Sequence, residues 1–200
     1  MKEFKAEFFP PLDIGGNIKD ELFANMTPLK ECVSGREPNK STFIRVLNDG
    51  VNLYFVFKVI DDNINPVRTK YNSKIYNEEV VEVFVSGADI RKYLEFEVSP
   101  NNTRFCGKVR NSLKGRRKLK LIGKCIFDSK VVTDKDGYLV IIKAAKKAIA
   151  DKLNIKGLES CYFNIYRIDR PNEAEWELSA LSPTGKENFH CPKSFIRLII

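Results

Sequence analysis

The chain has 200 residues, with 34 Lys and Arg against 26 Asp and Glu and a single histidine. Its 43% hydrophobic content and 14 Phe can fill one substantial core, so residues 1–200 read as one domain. No stretch approaches the ~20 apolar residues needed to cross a bilayer, and the lone His190 leaves little room for histidine-based acid–base or metal chemistry.

The N-terminal ten residues lack the uninterrupted apolar run of an export signal. The chain as written therefore reads as cytoplasmic, or as extracellular if a leader has been removed. Residues 1–12 hold an edge strand that stops at Pro10-Pro11, because proline cannot donate to a ladder. Residues 13–25 read as loop with one helical turn, 28–33 as a short strand and 34–40 as loop. Residues 42–47 then alternate up to Asn48-Asp49-Gly50, the strongest short-range hairpin signal a sequence offers. The returning strand, 51–61, places Leu53, Phe55, Phe57 and Val59 on one face.

After a polar loop (62–75), residues 76–103 read as two strands of period-two alternation. Val81, Val83 and Val85 share one face, with Glu82 opposite; Leu94, Phe96 and Val98 share the next, with Tyr93, Glu95 and Glu97 opposite. Carboxylates repeated on one face are expected to be either a solvent-exposed acidic surface or a surface that grips something polar. Residues 103–110 alternate again, followed by a basic loop and one or two strands over 120–133. Asp134-Lys135-Asp136-Gly137 marks a turn into a strand at 138–143. The Ala/Lys-rich stretch 144–153 predicts the one helix. Strands at 161–169 and 176–181 and an apolar run at 195–200 complete the chain. Many short strands with almost no helix imply an all-β, antiparallel β-sandwich or jelly roll with immunoglobulin-like layers.

Charge is local. Nine basic residues (Arg104, Lys108, Arg110, Lys114, Arg116, Arg117, Lys118, Lys120 and Lys124) fall between Val98 and Phe127 with no acidic residue among them, and they exceed the whole net charge of +8. The five cysteines are odd in number and scattered, with no Cys-x-x-Cys, so they read as reduced thiols. No nucleophile-elbow serine, glycine-rich phosphate loop or His-Glu-x-x-His occurs, and no cofactor is expected. Calcium on loop carboxylates such as Asp61 and Asp62 stays open.

Three ordered stretches, 53–62 (Leu-Tyr-Phe-Val-Phe-Lys-Val-Ile-Asp-Asp), 76–84 and 93–100 (Tyr-Leu-Glu-Phe-Glu-Val-Ser-Pro), together with 163–169, 181–184 and 189–195, resemble family 9 carbohydrate-binding modules. The resemblance runs from about Thr42 to Ile200. It implies a non-catalytic sandwich, often associated with glycoside hydrolases, that clamps a sugar between two aromatic rings while charged and amide groups bond its hydroxyls. Apolar pyranose faces suit aromatic rings, and charge-assisted hydrogen bonds suit the hydroxyl edge. By position, Tyr76 stands for the first clamp ring, Glu79 and Glu82 for the acids after it, Arg104 for an arginine beyond the Glu-Phe-Glu strand, and Asn164 and Arg167 for the late strand's polar pair. Leu181 replaces the aromatic that precedes Ser-Pro-Thr in the family. Either Trp176 supplies the second ring from a shifted register or the clamp is absent.

Each of these residues has an ordinary alternative: Tyr76 as a strand cap, Trp176 as core, and Arg167 as a structural arginine pairing Glu82 across the sheet. Two other functions compete with neutral-sugar binding. The basic segment 104–124 could hold an anion such as an acidic polysaccharide or nucleic acid, although it lacks the interleaved aromatics that base stacking uses. Glu82 with Glu95 or Glu97 could reach the about 5–9 Å separation of a glycosidase pair. The expected partner is a carbohydrate ligand, with neither membrane nor nucleic acid.

Overall fold

The computed structural model describes residues 3–172 and 175–200. Its first strands are short: β1 (Glu3–Lys5), β2 (Glu7–Phe8), β3 (Thr27–Pro28) and β4 (Lys30–Glu31). The long ones follow as β5 (Thr42–Asn48), β6 (Asn52–Ile60), β7 (Val80–Ser86), β8 (Lys92–Val98) and β9 (Arg104–Asn111). Then come β10 (Arg117–Leu121), β11 (Phe127–Asp134), β12 (Gly137–Ala145), helix α1 (Lys146–Leu153), β13 (Ser160–Asp169), β14 (Glu177–Ala180) and β15 (Ile196–Ile199).

Two sheets form a sandwich of the expected class. One runs β1-β15-β13-β7-β8-β9-β10, with β14 and β4 extending the far half of β13; the other runs β11-β12-β6-β5-β2, with β3 also on β5. The N-terminal segment closes both edges. β1 pairs in parallel with β15 of the first sheet, and β2, two residues later, pairs in parallel with β5 of the second. A strand shared in this way covers edges that would otherwise offer unpaired amides.

The alternating apolar residues fold as their period demands. Ile44, Val46, Leu53, Phe55, Phe57 and Val59 meet Val81, Val83, Val85, Leu94, Phe96 and Val98 between the sheets, all of them buried. The Asp-Gly turn joins β5 to β6, with Gly50 at φ 90° and Asp49 Oδ1 accepting from the Val51 and Asn52 amides at 2.8 and 2.6 Å. Gly137 ends the other predicted turn at φ 147°, where a Cβ would lie 2.0 Å from the Val59 carbonyl oxygen. The helix starts later than the sequence suggests, because Ala144 and Ala145 still pair with Leu53 and Asn52 in β12. The segment read as basic loop contains strand β10, which pairs with β9. All five cysteines carry free thiols, with Cys32, Cys106 and Cys161 buried.

Both outer faces are also covered. The segment around Phe9 to Met26 packs over Leu47, Tyr54, Val56 and Ile141 of the second sheet. On the first sheet, Phe84, Tyr93, Phe105, Val109 and Tyr166 lie beneath Phe189 and Phe195, carried by the long connection between β14 and β15. The acidic face of β7 and β8 is therefore buried rather than solvent-exposed: Glu82, Glu95 and Glu97 are 2%, 5% and 0% accessible.

A buried ionic knot fixes one end of the interior. Arg167 is in register with Val81 and so faces inward, away from Glu82. Its Nε donates to Glu79 Oε1 at 2.7 Å, its Nη2 to Asp61, and its Nη1 to the Lys40 carbonyl oxygen at 3.3 Å. The Tyr138 hydroxyl also donates to Glu79 Oε1, at 2.6 Å. This knot ties β13 to β12 and to the segments that enter β5 and leave β6. Removing one partner of such a group strands the others in low dielectric. Arg167→Met is accordingly expected to lower stability by about 3–5 kcal/mol, measured by urea unfolding; a loss within experimental error would show that water replaces the guanidinium.

Candidate functional site

Alternation within the first sheet builds the site. On the outer face Glu82 of β7 lies in register with Glu97 of β8, and Glu95, two residues before Glu97, pairs with Gly107 of β9. Side chains at paired positions share a face, so the three carboxylates converge. One carboxylate oxygen from each residue lies within 4.8 Å of the others. At Gly107 a Cβ would lie 2.5 Å from Leu119 Cδ1 of β10, so the Leu119 side chain crosses over the strand and would have to swing aside for a larger residue. Arg117 and Leu119 alternate on the same face of β10.

Above this floor lies a cleft of about 520 Å³. Its walls include Tyr76, Trp176, Glu82, Glu95, Arg117 and His190. Tyr76 sits in a single 3-10 turn, Ile75–Asn77, that delivers the chain into β7, and its ring packs edge-on against Phe105 at 5.8 Å. Trp176 stands immediately before β14, is 55% exposed, and carries the Arg170 guanidinium 5.1 Å from its ring centre. Aromatic rings, carboxylates (Glu82, Glu95 and Glu187) and the Arg117 and Arg170 guanidinium groups thus open onto one space.

The roof is pinned rather than loose. Tyr166 stacks on Phe189 with ring centres 4.2 Å apart, and its hydroxyl donates to the Phe189 carbonyl oxygen at 3.0 Å. Asn164 Nδ2 donates to the Ser182 carbonyl oxygen at 2.7 Å, while its Oδ1 accepts from the Ser182 amide at 3.0 Å. Asn111 donates to the His190 carbonyl oxygen at 3.0 Å. The His190 ring lies on Phe84, with Nδ1 2.7 Å from the Tyr93 hydroxyl and Nε2 3.7 Å from Glu95 Oε1. Burial, and then the Arg117 charge, hold the imidazole down at about 3, so it is neutral near pH 7.

The carboxylates are held the other way. Burial raises Glu82 and Glu97 well above the usual range, with neighbouring carboxylates adding to it. Burial also lifts Glu95 to about 7, against the opposing pull of Arg117 and of the adjoining Glu97 carboxyl. Among the described residues, neither Glu97 oxygen nor Glu95 Oε2 has a hydrogen-bond partner.

The residues singled out in the sequence divide into two groups. Tyr76, Glu82 and Trp176 meet at the cleft. The others lie elsewhere, for reasons of parity. Glu79 and Arg167 share the inward parity of Val81 and belong to the interior ionic knot. Arg104 is in register with the buried Val98 and reaches across to β11, donating to the Phe127 carbonyl oxygen at 3.2 Å and lying 3.6 Å from Asp128. Asn164 faces outward but holds the roof. Leu181 packs against the inter-sheet core, which takes it out of the cleft. Asp61 and Asp62 are engaged by Arg167 and Lys40. The sequence reading missed Arg117, Glu95's direct place in the wall, and His190. The alternation Arg117, Leu119, Leu121 was the available signal for Arg117, obscured by reading that stretch as loop.

A family model described as carbohydrate family 9 binding domain-like matches residues 14–195. The chain belongs to that family. Two structures of a family 9 module from Caldicellulosiruptor kristjanssonii share the fold. The glucose complex is 17% identical at a TM-score of 0.68, covering 99% of this chain and 95% of that one. The cellotriose complex is 18% identical at 0.69, covering 99% and 93%. A Bacteroides uniformis protein crystallised as a carbohydrate-binding candidate superimposes at a TM-score of 0.76 with 16% identity, covering 98% of each chain. A fungal relative from Arthroderma benhamiae, named "Extracellular protein", is 37% identical over 91 residues. That match spans 43% of this family 9 domain-like chain and 40% of the fungal protein. Among the described residues, no helix is long and apolar enough to cross a membrane.

Raised carboxyl pKa values carry a sign. A group whose folded-state pKa lies above its unfolded value stabilises the fold below the unfolded value and loses that contribution as pH rises through the folded one. For Glu97 the loss begins as pH climbs past the ordinary value of 4.5. Glu97→Gln mimics the protonated form, so its melting temperature relative to the parent should rise between pH 5 and pH 8 in chelator-containing buffer. A difference that stays flat with pH would show that Glu97 is ionised throughout.

Proposed function

We propose that this chain is a non-catalytic carbohydrate-binding module whose ligand, a mono- or oligosaccharide, lies in the cleft between Tyr76 and Trp176. The observation that carries the reading is the convergence of an exposed tryptophan, a tyrosine and the carboxylates of Glu82 and Glu95 in one concave space. Apolar sugar faces stack on the rings, and the hydroxyl edge turns to the charged floor. Glu82 and Glu95 accept from hydroxyls, and Arg117 donates from the opposite wall. Glucose and cellotriose are the sugars in the two family 9 complexes, so β-linked glucans are the first ligands to test. Glu79, Arg104, Asn164 and Arg167 act on this reading by holding the scaffold and roof. An extracellular setting fits the fungal relative's name, and association with glycoside hydrolases is what the family resemblance implies.

The anionic alternative has one observation in its favour. An open basin of about 1000 Å³ next to the cleft is lined by Arg91, Lys92, Arg110, Arg116, Arg117 and Lys118 against the single acid Asp89. Arg117 borders both spaces, so a charged saccharide could extend from one into the other. Salt separates the two ligands: counterion-driven binding weakens steeply between 50 and 200 mM salt, whereas stacking does not.

Calorimetry with glucose, cellobiose and cellotriose, at 50 and 200 mM salt, tests the main reading. Truncating a central aromatic anchor costs on the order of 2 kcal/mol or more, so Trp176→Ala and Tyr76→Ala should each weaken binding by about 30-fold while leaving the fold intact. Binding unchanged in both variants would remove the cleft as the sugar site. Turnover of the same oligosaccharides would contradict the non-catalytic assignment.

A further inference from the structure

The molecule contains two clusters of three buried carboxylates. In the first, Asp61, Glu79 and Asp169 surround the Arg167 guanidinium, which supplies both charge and hydrogen-bond donors. The second, Glu82, Glu95 and Glu97, has no cation bonded to it among the described residues; Arg117 in the cleft wall acts on Glu82 and Glu95 through its charge alone. Among the described residues its one ion-pair contact is the 3.7 Å approach of the neutral His190 to Glu95. Glu97 is fully buried with neither oxygen hydrogen-bonded and one of them within 4.8 Å of an oxygen of Glu82 and of Glu95, and Glu95 Oε2 is likewise without a hydrogen bond. Buried anionic oxygens are normally paired or metal-bound.

The dimensions fit a metal ion. One oxygen from each of the three side chains falls within 4.8 Å of the other two. Calcium holds oxygens at about 2.3–2.6 Å, so two oxygens on opposite sides of one calcium lie up to about 5 Å apart. An all-oxygen, all-carboxylate set with no thiol or free imidazole selects a hard cation over a soft one. An entry path exists, because Glu82 and Glu95 line the cleft while Glu97 lies behind them.

We infer that Glu82, Glu95 and Glu97 form a binding site for one hard divalent cation of calcium's size at the floor of the cleft. The ion sits on the outer face of β7 and β8, takes one or two oxygens from each glutamate, and turns its remaining coordination positions toward Tyr76 and Trp176. Calcium accepts six to eight oxygen ligands, so water or vicinal ligand hydroxyls complete the shell. The part of this inference that concerns hydroxyls rests on the proposed function; the cation site itself does not.

The test uses the whole chain without sugar. Calcium chloride is titrated by calorimetry at pH 7.5, and terbium(III) is titrated by luminescence sensitised through Trp176 and Tyr76. The expected result is one saturable site, with affinity reduced at least 10-fold in Glu97→Gln and in Glu82→Gln. Two variants are used so that one can be read if the other fails to fold, and circular dichroism reports folding. No calcium binding at millimolar concentration to the folded parent, or unchanged affinity in the folded variants, overturns the site. A second titration adds glucose with calcium and then with EDTA. Sugar affinity that falls on chelation supports hydroxyl coordination, and affinity that does not change overturns it. Absence of sugar binding in both conditions fails the proposed function while the calcium result stands.

Discussion

Buried charge is the constraint on which this structure depends. The sheet formed by β13, β7 and β8 carries carboxylates on both faces, and both faces are sealed, one by the second sheet and one by the connection leading to β15. Desolvating a carboxylate is costly unless it is paired, hydrogen-bonded or neutralised. The inner face answers with Arg167, which binds Glu79 and Asp61 directly and so converts the cost into a tie between strands. The outer face has no equivalent cation inside its triad, and the unmet requirement sits beneath the one cleft that also holds two aromatic rings.

That asymmetry separates scaffold from site. An interior ion pair of the kind made by Arg167 specifies where strands and loops meet, and its groups have no hydrogen-bonding capacity left for a ligand. The outer triad has capacity and access. Its rim, through Arg117, His190 and the two rings, provides donors and apolar surface around it. A site that departs from full polar satisfaction is where function is expected, because natural proteins break local packing rules where binding requires it. The pinned roof matters for the same reason: with Asn164, Tyr166 and Asn111 each fixing a point of the 182–195 connection, the cleft is formed before a ligand arrives, and less ordering entropy is lost on binding.

Much of this was legible in the sequence, and the reasons are local. Period-two alternation placed Val81, Val83 and Val85 opposite Glu82, and Asp49-Gly50 marked the hairpin, because both depend on neighbours in the chain. Tyr76, Glu82 and Trp176 come instead from the family resemblance, whose motifs are ordered stretches of the chain. What was not legible depends on the pairing of distant segments. The burial of Glu95 and Glu97 follows from a roof contributed about 90 residues later, by Phe189 and Phe195. Arg167 was expected to meet Glu82, but parity relative to β7 sends it to the other face. Arg104 shares the inward parity of Val98 and so leaves the cleft, while Arg117 sits on an edge strand that the basic composition disguised as loop.

Leu181 and Trp176 stand at opposite ends of β14 and face different parts of the molecule. Leu181 follows β14 directly and points into the inter-sheet core, so an aromatic at that position would have to displace interior packing to reach the cleft. Trp176 precedes β14 on the connection from β13, and the antiparallel pairing of Glu177 with Asp169 holds that end of the strand beside the acidic floor. A ring carried on the entry to β14 can therefore face Tyr76 across the same space. The Arg170 guanidinium lies over the indole, which adds a cation to the rim of the cleft. On the proposed reading, ligand selection rests less on two tryptophan faces than on the polar groups beneath Tyr76 and Trp176.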